Sequence, residues 1–279
     1  MDTKKVWLVT GASKGLGLTL VKKLLKQGYK VAATSRSISA LKKEVDAEAS
    51  SFLPLQVDLV NEQSIATAVA AIMQTFGAID VVVNNAGYGQ LGTLEELSDE
   101  EARKNFDINV FASLNVIRQV MPHMRAQRSG AIFNISSIGG FFGNFPGWGI
   151  YCATKFAVAG FTESLAAESK AFGITATVVY PGYFRTDFLS NDSLSLPQNR
   201  IEEYMEARAS ELQHTNEIRG NQQGDPEKAA AAIISVAESA NPPIHLFLGQ
   251  DAYNTAKVKI EIVEKEMAAN EALATSTAF

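Results

Sequence analysis

The sequence predicts a doubly wound α/β fold, a mostly parallel sheet of about seven strands flanked by helices. Two observations carry that expectation. Short apolar runs alternate with longer stretches of helical periodicity along most of the chain. The runs are also apolar throughout, as in Val81-Val82-Val83 and Thr177-Val178-Val179, and a strand covered on both faces reads this way. Strands are expected at residues 6–9, 30–34, 52–57, 79–84, 131–136, 174–180 and 245–248. In such a sheet, ligands bind beyond the carboxyl ends of the strands.

The helices follow from period and caps. Leu16, Leu20, Leu24 and Leu25 recur at helical spacing. Ser98-Asp99-Glu100-Glu101 reads as a capping box opening a helical region that runs to about Arg128. Residues 151–172 form another helix, with Phe156, Val158, Phe161 and Leu165 available for packing. Asp225-Pro226 places an N-cap before a proline at the first helical position, and residues 250–268 make a charged terminal helix. The stretch from Tyr183 to Gly224 interrupts the alternation and is too long for a structureless connection. It reads as a lid over a site, helical at 201–212. No repeat or linker divides residues 1–279, so one domain is expected, with a core at about 4–250 and a helical extension at 250–279.

Composition narrows the function classes. The chain has 279 residues, 46% of them hydrophobic and 20% charged, with a net charge of −5. A large core can form, and the acidic balance argues against a nucleic-acid or anionic-membrane binder. Cys152 has no partner for an internal disulfide, which fits a reducing, cytoplasmic setting. The three histidines, His123, His214 and His245, lie apart from one another and from the cysteine, so no zinc site is expected. No apolar run reaches the length of a membrane span.

Directly after the first strand comes Thr10-Gly11-Ala12-Ser13-Lys14-Gly15-Leu16-Gly17, leading into a helix. Glycines there let the backbone turn tightly and approach a pyrophosphate, which the helix N-terminus stabilises. An NAD site usually ends its second strand with a carboxylate for the ribose 2′-hydroxyl. Here the strand ends Ala33-Thr34-Ser35-Arg36. Arg36, with Lys14 from the loop, is suited to a 2′-phosphate, each charge-assisted hydrogen bond being worth about 1.5–3 kcal/mol. NADP(H) is therefore expected in preference to NAD(H).

Tyr151 and Lys155 stand four residues apart, one turn along a helix face. A cation there favours the phenolate and draws the tyrosine towards the working range of a general acid/base. The spacing alone is weak evidence, since Tyr253 and Lys257 repeat it within the terminal helix, where surface or packing roles suffice. Context favours Tyr151. It follows a strand ending Ile135-Ser136-Ser137, and a serine at that end could hydrogen-bond a substrate carbonyl. Phe141, Phe142, Phe145 and Trp148 lie between the serine and the tyrosine, and Tyr183, Phe184 and Phe188 begin the lid. They suggest an apolar pocket for a hydrophobic ketone or alcohol. His214 reads as a solvated histidine and Cys152 as a small packing residue.

The ordered set of motifs resembles the short-chain dehydrogenase/reductase family, in its compact single-domain branch, over about residues 4–250. The resemblance rests on Thr10–Gly17, Asp58, Asn84-Asn85-Ala86-Gly87, Asn109, Ser137, Tyr151 with Lys155, and Pro181-Gly182 followed by Thr186. It implies a Rossmann-type fold and an NADP(H)-dependent oxidoreductase. Tyr151 would be the acid/base, and Lys155 would also hold the nicotinamide ribose. Ser137 would orient the carbonyl, and Asn109 would support a proton relay. Gly11, Ser13, Lys14, Gly15, Leu16, Gly17, Arg36, Asp58, Asn85, Ala86, Gly87, Pro181, Gly182 and Thr186 would contact the cofactor. Ser137, Phe145, Tyr151 and Tyr183 would contact a small-molecule substrate. The gap from Ser137 to Tyr151 is one residue longer than usual for the family, which leaves Ser136 as the alternative hydroxyl. A homo-oligomer, dimer or tetramer, assembled through the helices at 98–128 and 151–172 is also implied. The alternative from another class is a non-catalytic NADPH-binding sensor.

Overall fold

The computed structural model describes residues 4–190, 192–277 and 279. The first half alternates as expected: β1 (Val6–Val9), α1 (Gly15–Lys26), β2 (Lys30–Ser35), α2 (Ile38–Glu44), β3 (Phe52–Gln56), α3 (Glu62–Phe76) and β4 (Val81–Asn84). A two-residue strand, β5 (Gly89–Gln90), then precedes α4 (Asp99–Phe106) and α5 (Ala112–Gln127). The second half runs β6 (Gly130–Ile135), α6 (Gly149–Ser169), β7 (Ile174–Pro181), β8 (Leu194–Ser195), α7 (Met205–Leu212), α8 (Pro226–Ala237), β9 (His245–Leu248) and α9 (Gln250–Thr275).

Seven strands form one parallel sheet in the order β3-β2-β1-β4-β6-β7-β9. Strand alternation divides the core. Trp7 and Val9 turn towards α1 and α8, packing with Leu20, Leu24 and Ile233, whereas Val6 and Leu8 turn towards α3 and α5, packing with Ile72 and Val120. The strand order reverses between β1 and β4, so their exits diverge and leave a crevice at the carboxyl edge.

The caps act as their residue types dictate. Ser98 and Glu101 complete a reciprocal capping box, and the Asp225 side chain accepts from Glu227 N ahead of Pro226. The long region after Ser98 is not one regular helix. A π-helical stretch, Asp107–Phe111, joins α4 to α5, and such bulges redirect side chains. The expected helix 151–172 starts earlier, at Gly149, and ends in a single 3₁₀ turn after Ser169. The lid helix starts at Met205 rather than 201 and passes into a π-helical turn through Ile218. The terminal helix extends to Thr275 rather than 268. No helix among the described residues is long and apolar enough to cross a membrane.

A strand pair and a buried ion pair are among the contacts that fasten the lid. β8 pairs with β5, Gly89 beside Leu194 and Gln90 beside Ser195. Arg208 of α7 also places Nη2 2.8 Å from the Glu96 carboxylate, whose side chain is fully buried. Burial works against that carboxylate, but the N–H groups of Ile201 and Thr93 and the Arg208 charge hold it below the usual range. Removing one partner of a buried pair strands the other charge. Arg208→Met is expected to lower the unfolding free energy by about 3 kcal/mol in urea titrations; a loss below about 1 kcal/mol would assign the lid's attachment to packing instead.

Candidate active site

The glycine loop and the exit of β4 are joined side by side. The Thr10 hydroxyl accepts from the backbone N–H groups of Asn85 and Ala86 at 3.0 and 3.1 Å. In return the Asn85 amide donates to the carbonyls of Thr10 and Gly11 at 3.0 and 3.1 Å. This approach leaves no room for a side chain. A Cβ on Gly11, whose φ is +63°, would lie 2.7 Å from Ala86 Cα, and one on Gly17 would meet the Asn85 amide at 2.5 Å.

The loop borders a cleft of about 480 Å³, and every residue expected to act in catalysis or to contact cofactor or substrate through the family resemblance lines it except Gly17 and Asn109. Gly17 is buried behind the loop. Asn109 sits on the π-helical stretch, 1% exposed, with every polar atom engaged. Its Oδ1 accepts from Tyr88 N at 3.0 Å, and its Nδ2 donates to Tyr88 O at 3.0 Å and to Thr154 Oγ1 at 3.1 Å. It ties the strand after Gly87 to the helix that carries Lys155.

At one end of the cleft Arg36 is exposed at the exit of β2, and Asp58 follows β3. Lys14 reaches across to the lid, donating to the Asp192 carbonyl at 3.2 Å. Thr34 and Lys104 also line the cleft. Thr34 is 3% exposed with its hydroxyl unpartnered.

At the other end lie the serine, tyrosine and lysine. The two serines separate as strand alternation requires. Ser136 turns inward, 3% exposed, and donates to the Lys155 carbonyl at 2.7 Å. The Ser137 hydroxyl accepts from Gly139 N at 3.1 Å and lines the cleft beside Tyr151. Lys155 is 4% exposed; its ammonium donates to the Ile135 carbonyl at 2.9 Å and lies 5.8 Å from the centre of the Tyr151 ring.

The electrostatics correct one expectation. Burial pushes the Tyr151 phenol well above its ordinary value, opposed by the Ser137 hydroxyl beside it, and Lys155 does not draw it down. Burial instead takes Lys155 down to about 8. The same desolvation acts on both groups, and for each it favours the neutral form.

The aromatic wall is partly as expected. Phe145, Trp148, Tyr183, Phe184 and Phe188 line the cleft, with Trp148 edge-on to Tyr151 at 5.3 Å between ring centres. Phe141 does not; it packs on Tyr180 and Phe247 beneath the terminal helix, and Phe142 also lies outside the lining. The one-turn helix at Ile138–Gly140 directs these two rings away. His214 is not a solvated lid residue either. It is 5% exposed, its ring tilted against Trp148 with 4.8 Å between ring centres. Its Nδ1–H donates to Ser210 O at 2.6 Å, leaving Nε2 to accept from the Tyr183 hydroxyl at 2.8 Å. Gln222 also joins the wall, and the sequence carries no sign of it. Burial pushes the Cys152 thiol up to about 12, in keeping with a packing role. Tyr253 is exposed on the terminal helix, away from this wall.

The family profile described as short chain dehydrogenase matches residues 5–195. The chain belongs to this family. It is an oxidoreductase by membership, with a fold that neighbours share. A curated relative, 3-ketodihydrosphingosine reductase of Bacteroides thetaiotaomicron, is 37% identical over 88% of this chain and 88% of its own length. A short-chain dehydrogenase from Streptomyces avermitilis is 33% identical, with a TM-score of 0.91 and full coverage of both chains. The NADP-bound structure of ElxO is 28% identical, with a TM-score of 0.72 over 88% of this chain and 97% of that one.

Proposed function

We propose that the protein is an NADP(H)-dependent carbonyl reductase, reversibly an alcohol dehydrogenase, acting on a small hydrophobic substrate. The observation that carries this reading is one cleft lined by both a glycine loop and the Ser137, Tyr151 and Lys155 side chains. The cleft fits the cofactor: the Gly11–Ala86 approach admits a backbone cradle where a Cβ would collide, and the wall at Arg36 carries no carboxylate from β2. Gly11, Ser13, Lys14, Gly15 and Leu16 would hold the phosphates, and Arg36 with Lys14 the 2′-phosphate. Asp58 would meet the adenine, with Asn85, Ala86 and Gly87 along the cleft. Pro181, Gly182 and Thr186 would meet the nicotinamide, and Lys155 its ribose. When bound, the reduced cofactor supplies a hydride to the carbonyl carbon.

The chain's own residues govern the proton. A buried phenol with a raised pKa remains protonated, which suits it to donate to the oxygen of a carbonyl gaining negative charge. Ser137 would hydrogen-bond the same oxygen. The Lys155 ammonium would stabilise the tyrosinate left behind, and Asn109 would support its reprotonation from solvent. Phe145, Tyr183 and the Trp148 ring would exclude water and favour an apolar substrate. The β-oxo compounds named for relatives, 3-ketodihydrosphingosine and 3-oxoacyl groups, agree with a ketone attached to an apolar chain. A homo-oligomer through α4, α5 and α6 accords with Phe111, between α4 and α5, and Phe156 on α6, which are 50% and 43% exposed.

Three outcomes are expected. Tyr151→Phe will lower turnover by at least about 10²-fold while NADPH still binds, by absorbance and fluorescence titration; near-normal turnover would remove the tyrosine from the mechanism. The Lys155 charge is present below about pH 8 and lost above it. The kcat/KM for reduction should therefore be level below that value and decline above it, whereas a profile rising through that range would contradict the ammonium's role. Arg36→Asp should reverse the NADP/NAD ratio of kcat/KM, and an unchanged ratio would leave the 2′-phosphate assignment without support.

A further inference from the structure

Tyr183 and His214 meet among the aromatic rings beside Tyr151, and both line the cleft. Trp148 connects them to the Tyr151 phenol: its ring centre lies 4.8 Å from that of His214 and 5.3 Å from that of Tyr151. The hydrogens of the Tyr183–His214 pair follow from its partners. The Ser210 carbonyl, 2.6 Å from Nδ1 of His214, can only accept, so Nδ1 carries the ring proton. Burial favours the neutral ring, and Nε2 therefore accepts from the Tyr183 hydroxyl at 2.8 Å. The phenol's one hydrogen is thus committed, while its oxygen can still accept. Among the described residues no group donates to that oxygen.

Trp148 has the opposite deficit. It is 5% exposed and lines the cleft, yet its indole Nε1 is buried with no acceptor among the described residues. Buried polar groups in folded proteins are nearly always paired, so an unmatched donor on a residue that lines a cleft points to a ligand. The two deficits are complementary. A hydroxyl answers both, giving its hydrogen to the Tyr183 oxygen and accepting from Trp148 Nε1. An ammonium has no lone pair for the indole, and it would share the cleft with the Lys155 charge. A carboxylate has no hydrogen for the phenol.

We propose that Tyr183 and Trp148 bind a hydroxyl group of the substrate, so that the ketone reduced at Tyr151 is a hydroxy ketone; this rests on the carbonyl-reductase reading of the same cleft. His214 is the positioning residue, because taking the phenol hydrogen makes the Tyr183 oxygen an acceptor. A single indole separates this subsite from Tyr151, so the hydroxyl stands only a few bonds from the carbonyl. Phe145 and Phe188 leave the surroundings apolar. A pocket of this kind binds through its hydrocarbon contacts and orients through its few polar ones.

Medium-chain α-, β- and γ-hydroxy alkyl ketones test this, each paired with the ketone of the same skeleton that lacks the hydroxyl. For the best-fitting pair, wild-type kcat/KM should favour the hydroxy ketone by roughly 10-fold or more. Tyr183→Phe should bring that ratio close to one, and Trp148→Phe, which keeps a ring but lacks Nε1, should lower it independently. Calorimetric titration of Tyr151→Phe loaded with NADPH reads binding apart from chemistry and should show the same preference. Turnover of both members of every pair with a ratio near one would overturn the subsite and leave the reductase reading standing. An equal loss on both ketones in Tyr183→Phe would also overturn it, reducing the Tyr183–His214 bond to a fastening of the lid. A binding preference without wild-type turnover would support the subsite and overturn the reductase reading instead.

Discussion

The site depends on a close backbone approach between two diverging strand exits. Parallel sheets separate their strand exits wherever the order reverses, and here β1 and β4 leave the sheet towards opposite flanks. The Thr10 hydroxyl and the Asn85 amide join these exits, with four hydrogen bonds running both ways. The join holds Gly11 against Ala86 at a distance that excludes any Cβ. Without it the glycine loop would be an ordinary turn. With it, backbone N–H groups at the start of α1 face a cleft whose opposite wall carries a serine, a tyrosine and a lysine. The sequence constraint on the loop is thus a packing constraint before it is a binding one.

Desolvation sets the character of the opposite wall. A tyrosine and a lysine one turn apart suggest a charge pair in which the cation lowers the phenol. Burial acts on both groups at once, however, and raises one while lowering the other. Their ordinary proton affinities are nearly equal, and burial moves them apart, the phenol holding its proton more tightly and the ammonium less. The Ile135 carbonyl is the backbone acceptor that keeps the lysine in place. Ser136, beside it, spends its hydroxyl on the Lys155 carbonyl and so fixes the helix that presents the pair. Adjacent serines therefore divide the work, one holding the helix and the other facing the cleft.

What was legible in the sequence was what depends on period or local chemistry. The seven strands of the sheet follow from runs apolar on both faces, and Ser98 and Asp225 announce their helices by capping. The glycine loop, Tyr151 and Lys155 are recognisable because their chemistry is local to a few residues. The rest needed the fold. β5 and β8 have two residues each, too few for any period, and lie about 100 residues apart. His214 reads as a surface residue because nothing near it in sequence reveals the Trp148 ring it packs against. Glu96 and Arg208 look like ordinary surface charges, and only their pairing across the chain shows that both are buried. Phe141 and Phe145 are indistinguishable by type, and a single 3₁₀ turn sends one beneath α9 and the other into the cleft.

Tyr183 shows how distant elements converge on the cleft wall. Its backbone N–H donates to the Asp251 carboxylate in the first turn of α9 at 2.7 Å, and its hydroxyl donates to His214 in the lid. The neighbouring Gly182 has no room for a side chain, because a Cβ would meet that same carboxylate at 2.2 Å. The ring is therefore located from three directions: the end of β7 that carries it, the terminal helix beneath it and the lid above it. Burial at this junction pushes the phenol up to about 12, so its hydroxyl stays a donor and His214 stays an acceptor. The pocket wall beside the reacting groups is thus fixed by contacts between segments 31 and 68 residues apart. Changes in either the lid or the terminal helix therefore act on the cleft wall through this one ring.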